Sequence, residues 1–312
     1  MMKKVGIGLY GVNGHQLSPE QIEQVGAELI GVCDFGDLTE LPEVIRYESY
    51  EKMLSNPQIH LVSLCAPKRS EQEELIIQAI KAGKHVYAEK PCVMREDQLD
   101  EILTLAEENG VIFCEMSGSM YEEPYQKAKE LVESGILGEI VQVFVQKSYP
   151  YVDRRPQDED IDGGLLEQCA IYGLRFIEQV AGQVIVSAEG IETTKGNPKQ
   201  GNLHMAAAIN AKLQSGAIGT VIANYLNQPS TKVWGNEELR IFGTKGFLQT
   251  NIKNKSVEVY IQEQFQTYEG ESKGSLLQVL VNSIKQNQPL PFSPEWLLSP
   301  TCWAIRIKNA II

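Results

Sequence analysis

The chain has 312 residues and 43% hydrophobic residues, which is long enough for two hydrophobic cores and ordinary for a globular protein. Its 28 basic and 41 acidic residues give a formal net charge of −13, which disfavours phosphate backbones and anionic membrane surfaces as partners. We therefore expect neither a nucleic-acid partner nor a membrane partner.

The N-terminus, the cysteines and the histidines exclude further classes of protein. The apolar stretch that begins at Val5 is interrupted at Gly11, which makes it too short for a signal peptide or a membrane span. The six cysteines have no CxxC spacing, and we interpret them as buried thiols in a reducing compartment, which predicts a cytoplasmic protein. The four histidines have no metal-ligand spacing, so no metal site is expected.

Strand and helix patterns alternate over roughly the first third of the chain. Apolar runs predict strands over 4–9, 29–33, 60–65, 84–88 and 111–116. Capping residues and helical periodicity predict helices over 19–27, 50–55, 70–82 and 95–109. Because strands that alternate with helices form parallel sheets covered on both faces, this part is predicted to be a doubly wound Rossmann domain.

Beyond residue 119 the strand patterns dominate. A helix is predicted over 125–134, and alternating strands over 140–146, 204–213 and 217–225. A hairpin over 239–250 and helices over 275–286 and 294–309 complete the chain. The pattern predicts an α+β domain with a mostly antiparallel open sheet, and a division into domains 1–118 and 119–312.

Two glycine patterns compete for the dinucleotide loop. Gly6, Gly8 and Gly11 satisfy GxGxxG, but the first two lie inside the predicted first strand. In the better register, Gly11 makes a tight turn after the strand, and Asn13 replaces a second glycine before Gly14 because asparagine tolerates positive φ. Judged alone, this loop is equally well an ordinary glycine turn.

Asp34 strengthens the dinucleotide interpretation. It ends the second strand, about twenty residues after Gly14, where a carboxylate accepts hydrogen bonds from the adenosine ribose hydroxyls. The same carboxylate repels a 2′-phosphate, and no Lys or Arg occurs over 35–45 to offset it, so NAD is predicted rather than NADP. The alternative is a simple turn aspartate.

The run from Ala82 through Val86 into Glu89-Lys90-Pro91 resembles the signature of the Gfo/Idh/MocA oxidoreductases. The resemblance spans nearly the whole chain, with supporting segments at 61–67, 133–138, 163–166 and 240–246. It implies an NAD(P)-dependent enzyme that acts on a sugar, an inositol or a related polyol. It also implies cofactor contacts at Gly11, Val12, Asn13, Gly14, Asp34, Ala66, Pro67, Glu89 and Lys90.

The resemblance gives Lys90 a catalytic role. Lys90 follows a predicted parallel strand, at the edge where such sheets bind ligands, and Pro91 restricts it to an extended conformation. An ammonium group there can polarise the substrate hydroxyl and stabilise the oxyanion that develops on it. The alternative is a surface lysine that forms a salt bridge with Glu89.

The family's second motif is a glycine cluster followed by Asp and then His or Tyr on a helix. Here Gln168 replaces the aspartate and Tyr172 the histidine, which resembles the glucose-fructose oxidoreductase and dihydrodiol dehydrogenase branches and implies Tyr172 as proton carrier. Gln168 and Arg175 are candidate substrate contacts on the same helix. The alternative makes Tyr172 plain core, since apolar residues recur at helical spacing around it: Leu165, Cys169, Phe176 and Val180.

The sequence thus predicts an NAD-dependent dehydrogenase or reductase that transfers a hydride between nicotinamide and a secondary alcohol or carbonyl of a sugar, polyol or cyclic diol. The family's Asn-x-Arg element is missing at 119–124, and with the changes at Gln168 and Tyr172 this keeps two alternatives open. One is a non-catalytic NAD-binding sensor or regulatory protein; the other is an NAD-recycling glycosidase. An uncovered sheet face that includes Ile140 and Phe144 predicts a homodimer or homotetramer.

Overall fold

A computed structural model describes residues 4–36, 44–270 and 273–311. The chain divides into two compact units. Unit 1 consists of Met1–Met116, Asp160–Gly163 and Leu276–Ser299, and unit 2 of Ser117–Glu159, Gly164–Ser275 and Pro300–Ile312. The sequence predicts the domain boundary at residue 118, two positions after the end of the first segment of unit 1. Unit 1 also includes two later segments, which the prediction assigned to the second domain.

Unit 1 contains a six-stranded parallel sheet. Its strands are β1 (Gly6–Tyr10), β2 (Glu28–Cys33), β3 (Ile45–Tyr47), β4 (Leu61–Leu64), β5 (His85–Ala88) and β6 (Phe113–Glu115). The spatial order is β3-β2-β1-β4-β5-β6, the order of a doubly wound Rossmann sheet. The strands are apolar runs because both faces are covered: β4 is buried along its whole length. The Rossmann prediction is confirmed.

The helices of this first part are α1 (Pro19–Gln24), α2 (Tyr50–Leu54), α3 (Gln72–Lys81) and α4 (Glu96–Glu108). Helix α1 begins as predicted, with Ser18 as N-cap in a capping box with Gln21. It ends three residues earlier than predicted because Gly26, at φ +66°, turns the chain out of the helix before Ala27.

Unit 2 contains an eight-stranded sheet. Its strands are β7 (Ile140–Ser148), β8 (Ile185–Thr193), β9 (Ala206–Leu213), β10 (Ile218–Asn224), β11 (Asn236–Gly243), β12 (Phe247–Asn251), β13 (Ser256–Ile261) and β14 (Gln264–Glu269). The order is β14-β13-β12-β11-β7-β10-β9-β8, and the pair β7–β10 is parallel whereas the other pairs are antiparallel. The predicted α+β domain with a mostly antiparallel sheet is confirmed.

One face of this sheet is covered by helix α5 (Tyr125–Glu133) and by a helix made of three parts. Its centre, α6 (Ile171–Arg175), is flanked by π-helical turns over Leu166–Ala170 and Phe176–Val180. Helix α6 packs closely on β10, because a Cβ at Gly173 would lie 2.3 Å from Cγ1 of Val221. On β7, Val143 and Val145 point to this covered face and are fully buried.

The opposite, open face of the sheet has a stripe of aromatic rings beside polar side chains that include Arg240, Gln249 and Glu258. Four aromatic rings on adjacent strands stack across it, with centroids 5.3, 4.6 and 4.9 Å apart: Phe242, Phe247, Tyr260 and Phe265. Ile218 on the same face is half exposed, and the strand register places Ile140 and Phe144 there as predicted.

Two further helices follow the sheet, α7 (Leu276–Gln286) and α8 (Pro294–Ala310). Helix α7 belongs to unit 1, where the Lys285 ammonium donates to the carbonyl oxygen of Gly26 over 3.0 Å. No helix in the described ranges is both long enough and apolar enough to cross a bilayer.

Candidate active site

The loop after β1 lies at the switch point of the unit 1 sheet, where ligands bind in such folds, because β1 and β4 are neighbours whose connections run to opposite sides. Gly11, at φ +68°, leaves the strand, and a Cβ there would lie 2.1 Å from the carbonyl oxygen of Cys65. The Asn13 amide donates to the same oxygen over 3.3 Å. Only a glycine fits at position 11, and the loop therefore runs directly over the end of β4.

The expectation that Asn13 replaces a glycine by adopting positive φ is wrong. The described non-glycine residues with positive φ are Asp34, Lys232, Lys255, Gln262 and Asn287, and Asn13 is not among them. Its side-chain amide instead donates to the carbonyl oxygens of Pro67 and Ile161, each over 2.9 Å. Asn13 thus ties the loop to two neighbouring segments of unit 1, and the second left-handed residue of the loop is Gly14, at φ +131°.

Glu89 fixes the far end of this loop. Its buried carboxylate accepts from the backbone N–H of His15 over 2.7 Å and lies 3.0 Å from Nδ1 of the His15 ring. A Cβ at Gly14 would lie 2.5 Å from Cγ of Glu89, so a glycine is required there. Burial alone would raise the pKa of Glu89, but His15, Lys90 and Arg69 lower it to about 2. The carboxylate therefore stays ionised beneath the loop.

Arg69 and Gln72 extend this network, and the sequence analysis did not identify either. The buried Arg69 guanidinium donates from Nη2 to the carbonyl oxygen of Asn13 and from Nη1 to the side-chain oxygen of Gln72, each over 2.7 Å. Gln72 donates to the carbonyl oxygen of Glu89 over 2.7 Å and accepts from the Ala66 amide over 3.3 Å. Their i, i+3 spacing at the start of α3 is the one sequence signal that could have identified them.

The remaining predicted cofactor residues surround the same loop in unit 1. Asp34 follows β2 directly, is exposed, and has φ +51°, a backbone conformation that costs energy outside glycine. Val12 and Pro67 are exposed, whereas Ala66 is fully buried. The lack of basic residues over 35–45 was the second argument for NAD. Of this stretch, residues 37–43 lie outside the described residues.

Lys90 is a buried lysine, 1% exposed, two residues beyond the end of β5. The strand pairing continues to this point, since the Glu89 amide donates to the carbonyl oxygen of Leu64 over 2.8 Å, and the Lys90–Pro91 peptide bond is cis. The alternative of a surface lysine is therefore wrong. Lys90 thus lies buried at the carboxyl edge of the parallel sheet, the edge at which such folds bind ligands.

Tyr172 lies on α6 in unit 2 and is half-buried. The apolar residues that recur around it at helical spacing are at most 1% exposed: Leu165, Cys169, Phe176 and Val180. Tyr172 is thus not an equivalent member of that core series. Gln168 is half-buried on the preceding π-helical turn, and the buried Arg175 guanidinium lies 5.8 Å from the centre of the Tyr172 ring.

Two residues at the end of β7 contact Tyr172, and the sequence analysis did not identify them. The Lys147 ammonium lies 4.0 Å from the centre of the Tyr172 ring. The Tyr149 ring meets the Tyr172 ring edge-on, with centroids 6.4 Å apart, and the two side chains share a hydrogen bond. Burial, followed by the negative charge that an ionised Tyr172 would carry, raises the pKa of Tyr149 well above its ordinary value.

Comparisons with known proteins match both parts of the chain. The oxidoreductase family with an NAD-binding Rossmann fold, GFO_IDH_MocA, matches residues 5–116, and the GFO/IDH/MocA C-terminal domain matches residues 125–249. A Thermotoga maritima myo-inositol 2-dehydrogenase is 23% identical over 70% of this chain and 64% of its own length. A Xenopus laevis trans-1,2-dihydrobenzene-1,2-diol dehydrogenase is 22% identical over 69% of this chain and 62% of its own length. The chain thus spans less than two thirds of these relatives.

A solved structure shares the fold over nearly the full length. The putative oxidoreductase from Thermotoga maritima aligns with a TM-score of 0.85 and 21% identity, over 98% of this chain and 97% of that one.

Proposed function

Because this chain belongs to the Gfo/Idh/MocA family of oxidoreductases, we propose that it is an NAD-dependent dehydrogenase or reductase of a sugar, polyol or cyclic diol. The observation that carries the proposal is Lys90, a fully buried ammonium at the carboxyl edge of the Rossmann sheet. The names of two relatives, an inositol dehydrogenase and a dihydrodiol dehydrogenase, support a cyclic alcohol as substrate.

The residues at the switch point fit a dinucleotide. Gly11 and Gly14 let the loop lie directly against the Cys65 carbonyl oxygen and the Glu89 side chain, which gives the tight turn that a dinucleotide loop requires after the first strand. The exposed carboxylate of Asp34 at the end of β2 suits the ribose hydroxyls and disfavours a 2′-phosphate. The loop residues would hold NAD together with Ala66, Pro67, Glu89 and Lys90, and its nicotinamide would supply the hydride acceptor or donor.

The side chains of this protein would supply positioning and proton transfer. Lys90 would donate a hydrogen bond to the reacting oxygen and stabilise negative charge on it. Tyr172 would accept the hydroxyl proton during oxidation and return it during reduction. Gln168 and Arg175 would orient the substrate by hydrogen bonds, since neither exchanges protons at neutral pH.

The first experiment is calorimetric titration of NAD and, separately, of NADP, followed by a turnover screen with polyols, inositols and cyclic diols. Tight NAD binding and accumulation of NADH with one alcohol class is the expected result. NAD binding without turnover would replace the proposal by a sensor or regulatory role. Glycoside cleavage without NADH accumulation would replace it by an NAD-recycling glycosidase.

Substitution of Lys90 tests the catalytic assignment. Lys90→Ala should lower turnover about a hundredfold to ten-thousandfold and change NAD affinity only a few-fold. Lys84 is a matched control, because it is also buried and lies at the other end of the same strand, where it donates to the carbonyl oxygens of Asn56 and Ile59. Lys84→Ala should lower stability and leave turnover per folded molecule unchanged. A fully active Lys90→Ala enzyme would contradict the catalytic role of Lys90.

Substitution of Asp34 tests the preference for NAD. Loss of hydrogen bonds to a charged acceptor costs about 1.5–3 kcal/mol, so Asp34→Asn should weaken NAD binding about tenfold to a hundredfold. NADP binding should weaken less or improve. An equal loss of affinity for NAD and NADP would show that Asp34 does not bind the adenosine ribose hydroxyls.

We also propose that a second copy of the chain covers the open face of the unit 2 sheet. The aromatic stack from Phe242 to Phe265 and the half-exposed Ile218 form an apolar surface of the kind that homodimers bury. Light scattering after size exclusion should give a dimer or tetramer, and Phe265→Asp should lower the assembly mass. A monomeric wild-type protein would contradict this.

A further inference from the structure

We propose that Lys147 is a positioning residue for Tyr172: its ammonium, anchored by Glu237 against the face of the Tyr172 ring, fixes that ring and favours its phenolate form. This inference rests on the proposed function, because it gives the proton carrier of that reaction a source of positive charge within unit 2. Lys147 itself neither gains nor loses a proton.

The position of the ammonium follows from the strand register. Lys147 near the end of β7 pairs directly with Glu237 on β11, and the two side chains form an ion pair. Lys147 is 3% exposed, and the Glu237 carboxylate also accepts a hydrogen bond from the Tyr125 hydroxyl. A buried lysine requires such a partner, and here the partner is rigid because it is held from two sides.

The surroundings leave the ammonium little freedom to move. It lies 4.0 Å from the centre of the Tyr172 ring and 4.7 Å from that of the Tyr149 ring, both within the range of cation–π attraction. The backbone at Gly235 closes over it, since a Cβ there would lie 2.9 Å from Nζ of Lys147. The contact between Lys147 and Tyr172 is therefore a fixed feature of unit 2.

The charges around Tyr172 favour a negative oxygen. Among the described residues, the titratable or charged groups that lie close to it are Lys147, Tyr149, Tyr125, Arg175 and, through Lys147, Glu237. Two of these are cations, and the one carboxylate is already engaged by Lys147 and Tyr125. Tyr149 stays protonated because burial raises its pKa, so it can donate its hydrogen bond to the Tyr172 oxygen.

This arrangement addresses a chemical requirement of the reaction. A free tyrosine ionises near pH 10, so a phenol acts as a base at neutral pH only where its surroundings favour the anion. A cation within about 4–6 Å has this effect. When the substrate is oxidised, its hydroxyl proton passes to the Tyr172 oxygen as the hydride leaves the same carbon, and reduction reverses both transfers.

The test is a spectrophotometric titration that requires no substrate. The ultraviolet absorbance of tyrosinate is followed against pH in the wild type and in Tyr172→Phe, and the difference isolates the ionisation of Tyr172. The same difference is measured in the Lys147→Met background. We expect Lys147→Met to move the Tyr172 component to higher pH by about one unit or more, and Lys147→Arg to restore part of the shift. An unchanged titration in a folded Lys147→Met protein would overturn the proposal.

Lys147→Met leaves Glu237 buried without its cation, which can unfold the protein or repel the phenolate directly. The double variant Lys147→Met/Glu237→Gln removes both charges and keeps the volume. It should still show an upward shift, smaller than that of Lys147→Met because the repulsion by Glu237 is gone as well. A shift that disappears in the double variant would assign the effect to Glu237 and overturn the role of Lys147. Where a substrate is turned over, the ionisation of Tyr172 should also appear in the pH dependence of kcat. It should move to higher pH by the same amount as in the titration, while KM changes only a few-fold. If no substrate is turned over, the proposed function fails, and the titration still decides the Lys147–Tyr172 interaction.

Discussion

Each unit has a buried glutamate that directly precedes a candidate site residue, and the pKa values of these two glutamates are shifted in opposite directions. Glu89 precedes Lys90, and Glu167 precedes Gln168, and both carboxylates are fully buried. The pKa of Glu89 is lowered to about 2, whereas that of Glu167 is raised to about 7. Burial acts on both in the same direction, so the difference must come from their neighbours.

The neighbours of Glu89 are donors and cations. Its carboxylate receives the His15 amide and lies against the His15 ring, with the charges of Lys90 and Arg69 nearby. Glu167 has burial as its largest influence and one cation, Lys308, 3.3 Å from Oε2, while its Oε1 has no hydrogen-bond partner among the described residues. The lesson is that the number of donors, not depth, decides whether a buried carboxylate stays charged.

A second carboxylate reinforces the behaviour of Glu167. The pKa of Glu192 is also raised to about 7, because burial and the charge of Glu159 together outweigh the lowering by His204 and Lys308. Lys308 lies 3.2 Å from the Glu159 carboxylate, so its positive charge is shared between Glu159 and Glu167. At neutral pH this part of unit 2 therefore holds protons that it would release on unfolding.

The largest expected effect comes from removing the charge at Glu89. Its folded pKa lies below the ordinary value of 4.5, so it contributes stability above pH 4.5 that is lost as the pH falls toward 2. Glu89→Gln also leaves Lys90 and Arg69 without their anion, and we expect a loss of about 3 kcal/mol at pH 7. Denaturant unfolding at pH 7 and pH 3 checks this; a loss that is equally large at both would contradict it.

The opposite sign is expected for Glu167→Gln. The folded pKa of Glu167 lies above the ordinary value of 4.5, so its contribution to stability is lost as the pH rises from about 4.5 through 7. The variant should match the wild type at pH 5 and exceed its unfolding free energy by about 2 kcal/mol at pH 8. Glu130→Gln, on a partly exposed carboxylate whose pKa is lowered by Lys127 and Lys273, should show no change between these pH values. A destabilised Glu167→Gln protein at pH 8 would show that the contact with Lys308 outweighs the protonation.

The smallest effect is expected for His15→Ala. The His15 side chain is 58% exposed, so solvent screening limits its contribution to below about 1 kcal/mol. Its loss should raise the pKa of Glu89 toward the ordinary value and move acid unfolding to higher pH. The stability change of Glu167→Gln should be unaffected by it. An unchanged acid-unfolding midpoint would show that the backbone N–H and the cations suffice to hold Glu89 ionised.

The sequence predicted the strands of unit 1 well and those of unit 2 only in part. Buried parallel strands are continuous apolar runs, so the predicted bounds of β2, β4 and β5 are each within one residue of the observed ones. Strand β3 of unit 1, with only three residues, was not predicted. Strands β8, β13 and β14 of unit 2 were not predicted either, and β8 and β14 have many exposed positions and are fixed by their pairing. The fold class was predicted correctly, because the buried runs of unit 1 and the alternating strands β7, β9 and β10 of unit 2 were enough to assign both sheets.

The candidate site shows the same division. Gly11 and Gly14 were identified from their position after the first strand together with Asp34, and Lys90 from the resemblance of Glu89-Lys90-Pro91 to the family signature. Lys147 was not, because its neighbours come from β11 and α6 and are set by strand register, which no local pattern encodes. The φ of Asn13 was predicted wrongly, because tolerance of a conformation does not show that it is adopted.

The discontinuity of unit 1 has a consequence for how the chain is made. Residues 276–299 belong to that unit, and Lys285 on α7 donates to the Gly26 carbonyl that ends α1. Gly26 and Lys285 are 259 residues apart in the sequence, so unit 1 is complete only after nearly the whole chain has been synthesised. Until then the nascent unit 1 lacks helix α7 and the buried apolar residues that it brings, which include Leu280, Val281 and Ile284. This is the interval in which a chaperone would bind exposed apolar surface.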